Sequence, residues 1–337
     1  MHFSATSVPS GQARTLRSLA TRRGILVGTA VEASHLEDPR NAEILAEEFS
    51  CIEPENQMKF GLIHPQRDSY DFEGPDRTVE FAEAHGMKAR GHTLVWHNQQ
   101  PDWIEDGTLQ PTGLADALHS HIETVMARYK GRLFAWDVVN EAFEDDGSMR
   151  STVWYDKPGI GFAHSGVRYI EQAFIWARDA DPTARLLYND YNAETVCAKS
   201  DAIYEMAADF KARNVPLDGI GLQMHLELPF SRPEVLASFK ANLARFSELG
   251  LDIHITELDV RLNDGGDETL RSQAELYRKV FEIALSEERC NLIQFWGFTD
   301  RYSWVPGFFK GQGWPLLWDG DYQKKPCYHA VCDALDT

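Results

Sequence analysis

Cysteine is scarce in this chain of 337 residues, and the five present stand far apart: Cys51, Cys197, Cys290, Cys327 and Cys332 are odd in number and form no CxxC pair. That pattern supplies neither a disulfide framework nor a zinc-ligand spacing, so they read as free thiols, most of them buried as small hydrophobes. Basic residues are in the minority as well, 33 Lys and Arg against 52 Asp and Glu, for a formal charge of −19. An acidic balance argues against nucleic acid or an anionic membrane surface as partner and suits a neutral ligand. No apolar run approaches a membrane span, and residues 1–23 have basic side chains without the apolar core of a signal peptide. The expectation is a soluble protein, cytoplasmic as it stands, and secreted or periplasmic where a signal peptide has been removed. A Pro/Ser linker and low-complexity tracts are also missing, which leaves one domain over residues 24–337. Residues 1–23 read as a mobile extension or a first outer helix.

What the chain does have is alternation. Gly24–Val31 reads as a buried strand, followed by Asp38-Pro39 as N-cap and first position of a helix. Further strand candidates are 49–55, 88–96, 133–141, 185–190, 219–225, 252–257 and 291–296. Between them lie helical patterns such as Leu118, Ile122, Val125 and Tyr129, or Tyr277, Val280, Phe281 and Ala284. Ser231-Arg-Pro-Glu234 matches a capping box at the start of the sixth helix. Eight strands alternating strictly with eight helices demand a parallel sheet, and at this length the economical closure is a single α/β domain, a (β/α)8 TIM barrel, with its site at the C-terminal ends of the strands. An open doubly wound sheet would want a glycine-rich phosphate loop after the first strand, and Val31-Glu-Ala-Ser-His35 is not one.

The informative strand ends are Trp136-Asp-Val-Val-Asn-Glu141 and Ile253-His-Ile-Thr-Glu-Leu-Asp259. Each is an apolar run that emerges into a carboxylate. Two carboxyls sharing a site cannot both ionise freely, so one tends to keep a proton while the other stays charged, which is the equipment of a retaining glycosidase. The remaining ends bring Glu55-Asn56 with Lys59, His92, Trp96-His97, Asn140, Asn189-Asp190-Tyr191, Gln223, His225, Asp259, and Trp296 with Trp304. His92, His97 and His225 share this face with carboxylates but are not at metal-ligand spacing, so neither metal nor cofactor is expected.

Seven motifs then carry a family resemblance. Pro54-Glu-Asn-Gln-Met-Lys59, Arg90-Gly-His-Thr-Leu-Val-Trp-His97, Trp136–Glu141, Asn189-Asp-Tyr-Asn192, Gly221-Leu-Gln-Met-His225, Ile255-Thr-Glu-Leu-Asp259 and Phe295-Trp-Gly-Phe-Thr-Asp300 resemble those of the family-ten glycoside hydrolases, most of whose characterised members are endo-β-1,4-xylanases. The resemblance implies Glu141 as general acid/base and Glu257 as nucleophile, with His225 and Asp259 fixing the latter. It implies Glu55, Asn56 and Lys59 as glycone-side hydroxyl binders, with His92, Asn140 and Gln223 nearer the scissile bond. Tyr191 is a further substrate contact, and Trp96, Trp296 and Trp304 supply faces for sugar stacking. Trp136, Trp154, Trp176 and Trp318 are assigned to structure. A cis peptide is expected at His92–Thr93.

The implied activity is endo-acting, retaining hydrolysis of β-1,4-xylosidic linkages by a catalytic barrel, with xylan or xylo-oligosaccharides as partner, acting as a monomer. The competing readings are a retaining β-1,4-glucanase on a related barrel and a non-catalytic carbohydrate-binding barrel, which would have lost a glutamate. Gln57 departs from the acidic residue of many relatives, and the Gly- and Pro-bearing loop Val153–Phe162 is placed to shape the aglycone side.

Overall fold

Strands buried on both faces must be apolar throughout, and the long β-branched runs of this chain satisfy that demand. The computed structural model describes residues 14–337. Its strands are β1 (Leu26–Val31), β2 (Cys51–Pro54), β3 (Lys88–Val95), β4 (Ala135–Asn140), β5 (Arg185–Asp190), β6 (Gly219–Leu222), β7 (His225–Glu227), β8 (Asp252–Arg261) and β9 (Cys290–Phe295). They pair in parallel in the order β6-β5-β4-β3-β2-β1-β9-β8, and β6 also bonds β8, which closes eight strands into a barrel. β7 continues β6 beyond Gln223-Met224, where Met224 takes a φ of +64°, and it pairs with the outer part of β8. The expected strand over 219–225 is therefore one barrel position broken in two.

Helices Pro39–Glu48, Glu73–Ala84, Pro111–Tyr129, Arg168–Ala180, Ala198–Arg213, Pro233–Glu248, Asp267–Leu285 and Pro326–Asp336 follow the barrel positions in turn. The alternation is less strict than expected, because short helical turns at Phe60–Ile63, Asp102–Glu105 and Val305–Phe308 sit within the loops. Asp38 caps as its sequence suggests, its carboxylate accepting from the Arg40 and Asn41 amides. Ser231 does not cap. Residues Leu228–Ser231 form a 3-10 turn in which the Ser231 hydroxyl donates back to the Leu228 carbonyl (2.7 Å), so the helix starts after Arg232 with Pro233 in its first turn.

Leu118, Ile122, Val125 and Tyr129 are fully buried, as are Tyr277, Val280, Phe281 and Ala284. Ahead of β1, Leu16–Arg23 forms a helix capped by Thr15, with Leu16, Leu19 and Ala20 buried and the Leu16 amide donating to Glu48 (2.9 Å). Of the two readings of residues 1–23, the outer helix is what Leu16–Arg23 forms, and residues 1–13 lie outside the described residues. All five cysteines are free thiols, four of them buried. Trp136, Trp154 and Trp318 are core residues. Trp136 packs so closely on β3 that a Cβ at Gly91 would lie 2.2 Å from its ring, which explains a glycine inside that strand.

Candidate active site

The mouth of the barrel departs from regular pairing at three places, and each bears on a site residue. β3 and β4 shift register between His92 and Val95, beside a cis His92–Thr93 peptide as expected. β4 and β5 shift between Asp137 and Val139. β8 carries an extra residue relative to both neighbours: from Ile255 to Leu258 it advances three positions while β9 advances two (Ile293 to Phe295), and from Ile255 to Asp259 four while β6–β7 advances three (Leu222 to His225). In a regular strand Thr256 and Glu257 would face opposite ways. Here both reach Asn189: the Thr256 hydroxyl donates to Asn189 Oδ1 (2.7 Å) and Asn189 Nδ2 donates to Glu257 Oε1 (2.8 Å). Such an irregularity re-aims a side chain, a common device beside active sites.

Beneath the mouth lies a fully buried ionic floor. Arg90 donates to Glu53 (2.8 Å) and Asp137 (2.5 Å), and the second oxygen of Asp137 meets His92 Nδ1 (2.9 Å). Gln294 Nε2 bonds Glu53 and the Thr256 carbonyl, tying the floor to β8. A buried charge is tolerable only when paired and hydrogen-bonded, and here the pairing also sets the orientation of the His92 ring.

Glu257, 5 % exposed, rests on this floor. Its Oε2 meets His225 Nε2 at 3.1 Å, and His225 Nδ1 meets Asp259 Oδ2 at 3.0 Å. The Trp304 indole donates to that same Asp259 oxygen (2.8 Å), its ring centroid 4.9 Å from that of His225. Burial would raise the Glu257 carboxyl, but the His225 bond, with His92, outweighs it and holds the group below the usual carboxylate range. Burial would likewise lower His225, yet Asp259 and Glu257 on either side raise it to about 10. Glu257 thus sits as a carboxylate against an imidazolium.

A raised histidine stabilises the fold in its charged form. The contribution is fully present below the unfolded value of about 6.5 and is lost as pH rises through about 10. Urea unfolding of wild type and His225→Gln should therefore give a stability gap on the order of 2 kcal/mol near pH 6, shrinking toward pH 10. A gap independent of pH would show that the imidazole is neutral.

Glu141 is held differently. Its backbone is left-handed (φ +58°), its amide donates to the Asn189 carbonyl (2.9 Å), and its carbonyl accepts from Arg150 Nε (3.0 Å). The carboxylate accepts from the Trp96 indole (2.8 Å), Gln223 Nε2 (2.9 Å) and Asn140 Nδ2 (3.2 Å), with His97 at 3.8 Å. The two glutamates are joined through amides, since Asn189 Nδ2 donates to both Asn140 Oδ1 (2.9 Å) and Glu257. Glu257 is therefore paired with a cation, whereas Glu141's donors are an indole and two amides.

On the side of β1 and β2, Lys59 Nζ donates to Asn56 Oδ1 (2.7 Å) and lies over the rings of Trp96 (5.1 Å) and Trp296 (5.6 Å). Burial, with Glu32 adding a second negative charge, pushes Glu55 up to about 7. Trp296 is nearly buried, packed edge-on to His92 at 5.3 Å. Tyr191 stands apart and makes no hydrogen bond to either glutamate. Its hydroxyl accepts from Arg150 (2.9 Å) and its ring lies under the Lys199 ammonium (3.7 Å).

Among the residues of this assembly that carry no expected role are Asn189, Arg150 and Glu32. Asn189 pairs in register with Asn140 across β4 and β5, a signal available once the strands were aligned. Glu32 ends the apolar run of β1, the same signature that singled out Glu141 and Glu257. Arg150 lies in a loop with no periodic signal. Among the described residues no group of three or more His, Cys, Asp or Glu side chains is placed to hold a metal ion, and no helix is long and apolar enough to cross a membrane.

Parallel barrels of this kind house their chemistry at this mouth, and a carboxylate pair set among amides and indoles belongs to the glycoside hydrolases built on them. The chain is a member of glycosyl hydrolase family 10, whose model matches residues 15–334. It is 45 % identical to endo-1,4-beta-xylanase B of Thermotoga neapolitana over 95 % of this chain and 91 % of the relative. Xylanase 10B of Thermotoga petrophila, solved in complex with xylobiose, superposes with a TM-score of 0.92 at 45 % identity, covering 97 % of this chain and 99 % of that one. Native xylanase 10B of Thermotoga maritima superposes at 0.90 with 47 % identity, covering 96 % and 98 %.

Proposed function

We propose that the protein is an endo-acting β-1,4-xylanase that works by retaining double displacement, as a monomer whose residues 24–337 form one catalytic barrel. The unequal partners of the two glutamates carry this reading. Glu257, charged and held by His225, attacks the anomeric carbon, while Glu141 passes its proton to the departing glycosidic oxygen. A glycosyl ester on Glu257 results. Glu141, now a carboxylate, takes a proton from water, which attacks the same carbon and frees Glu257, so the configuration is retained. Asp259 and Trp304 hold His225 in place. Glu55, Asn56 and Lys59 fork onto glycone hydroxyls, His92, Asn140 and Gln223 serve the sugar at the scissile bond, Trp96, Trp296 and Trp304 offer ring faces, and Tyr191 is a further substrate contact. The xylanase names of the relatives, and xylobiose in one of them, support xylan as substrate.

A xylose ring lacks the hydroxymethyl group of glucose, and in this reading the bulk of Trp296 and Trp304 closes the space that group would need. The enzyme should therefore favour an aryl β-xylobioside over the matched cellobioside by about tenfold or more in kcat/KM. A ratio near or below unity would point to the glucanase reading instead. Release of mixed xylo-oligosaccharides from xylan, with carboxymethyl cellulose barely attacked, is the companion result.

A further inference from the structure

Glu32 lies just beyond β1, and its two carboxylate oxygens are occupied separately. One accepts from Asn56 Nδ2, the other from Gln57 Nε2. The first bond decides which way the Asn56 amide faces. With its NH2 committed to Glu32, the Asn56 oxygen is turned the other way, where it accepts from Lys59 Nζ at 2.7 Å. Lys59 in turn sits over the ring of Trp96, whose indole bonds Glu141. The relay Glu32–Asn56–Lys59 therefore runs from the rim of β1 to the carboxylate pair.

The second bond is specific to the Gln57 departure. A carboxylate at that position could not donate to Glu32 and would repel it. As an amide Gln57 donates, and its own Oε1 is left buried without a partner, so the side chain is held from the Glu32 end. Charge adds to geometry. Glu32 is among the groups that push the neighbouring Glu55 upward, against the pull of Lys59, so removing its charge moves Glu55 back toward an ordinary carboxylate.

We infer that Glu32 is a positioning residue of the glycone side, orienting Asn56 and Lys59 to receive the sugar ring one unit beyond the scissile one. The inference rests on the xylanase reading and on the assignment of Asn56 and Lys59 as hydroxyl binders. Asn56 is one hydrogen bond further from the glutamates than Lys59 is, so what Glu32 arranges is felt by a second ring more than by the first.

The test compares wild type, Glu32→Ala and Glu32→Gln on 4-nitrophenyl β-xyloside, with one glycone ring, and 4-nitrophenyl β-xylobioside, with two. Glu32→Ala should lose about tenfold in kcat/KM on the xylobioside, expressed in KM, the scale of one hydrogen bond to a charged group. On the xyloside it should stay within about threefold. Glu32→Gln keeps an acceptor for Asn56 and should recover part of the xylobioside loss. Both variants should move the pH dependence of the xylobioside KM to lower pH, a shift that a merely structural role would not produce. Equal losses on the two substrates, or no loss on the xylobioside, would overturn the assignment while leaving the xylanase reading intact. A wild type inert on both would sink the two together.

Discussion

Replacing Glu257 by alanine should remove turnover on every substrate by about 10⁴-fold or more, whatever the leaving group. The cause is the loss of the carboxylate that His225 holds in its charged form. His225 and Asp259 remain, so the vacated space stays lined by the imidazolium that had held the Glu257 carboxylate. A small anion such as azide can enter there and attack the anomeric carbon from the face Glu257 used. With no covalent intermediate to invert the centre a second time, the product is the α-glycosyl azide. Proton NMR of the azide adduct reads the configuration directly. A β-azide from this variant would mean that the two glutamates have been assigned the wrong way round.

Glu141→Ala should fail selectively. Xylan and alkyl xylosides, whose leaving oxygens need a proton, should slow by about 10²- to 10⁴-fold, the range for loss of general acid catalysis. Dinitrophenyl xylobioside should still glycosylate Glu257, because dinitrophenolate leaves unprotonated. The glycosyl-enzyme should then accumulate for want of a base, visible as a burst of phenolate followed by a low steady rate and as an added xylobiosyl mass on the protein. Azide needs no base and should restore turnover, giving the β-glycosyl azide. A variant equally slow on xylan and on the dinitrophenyl substrate, with no burst, would remove Glu141 from the acid/base role. The backbone bonds of Glu141 to Asn189 and Arg150 are independent of its side chain, so truncation should leave the mouth in place.

Much of this site was legible in the chain because its residues lie at the ends of buried strands, where an apolar run must finish and a polar side chain has only the cleft to enter. That logic found Glu141, Glu257, Asn140, Gln223 and His225. It also applied to Val31-Glu32, yet a single carboxylate after a strand has many dull explanations, and the amides that give Glu32 its significance sit on a different strand. Asn189 was visible as a residue but not as a link, since its importance comes from meeting Asn140 and Glu257 across two strand pairings. Helix starts show the same limit. Asp38 caps as its sequence implies, whereas Ser231 is drawn into a preceding turn that no four-residue pattern anticipates. Nor could composition separate β7 from β6, because the break depends on the conformation of Met224 rather than on a glycine or proline.

The extra residue in β8 has a consequence for how such a site can change. Side chains along a strand alternate, so direction is a matter of parity, and the count between Ile255 and Asp259 is what turns Thr256 and Glu257 toward the same amide. Deleting Leu258 there would leave Thr256, Glu257 and Asp259 all present and in the same order. It would nevertheless exchange inside for outside from that point on, sending Asp259 toward the helices and parting it from His225 and Trp304. Glu257 is thus protected less against substitution of its neighbours, many of which a packed barrel can absorb, than against any change in their number.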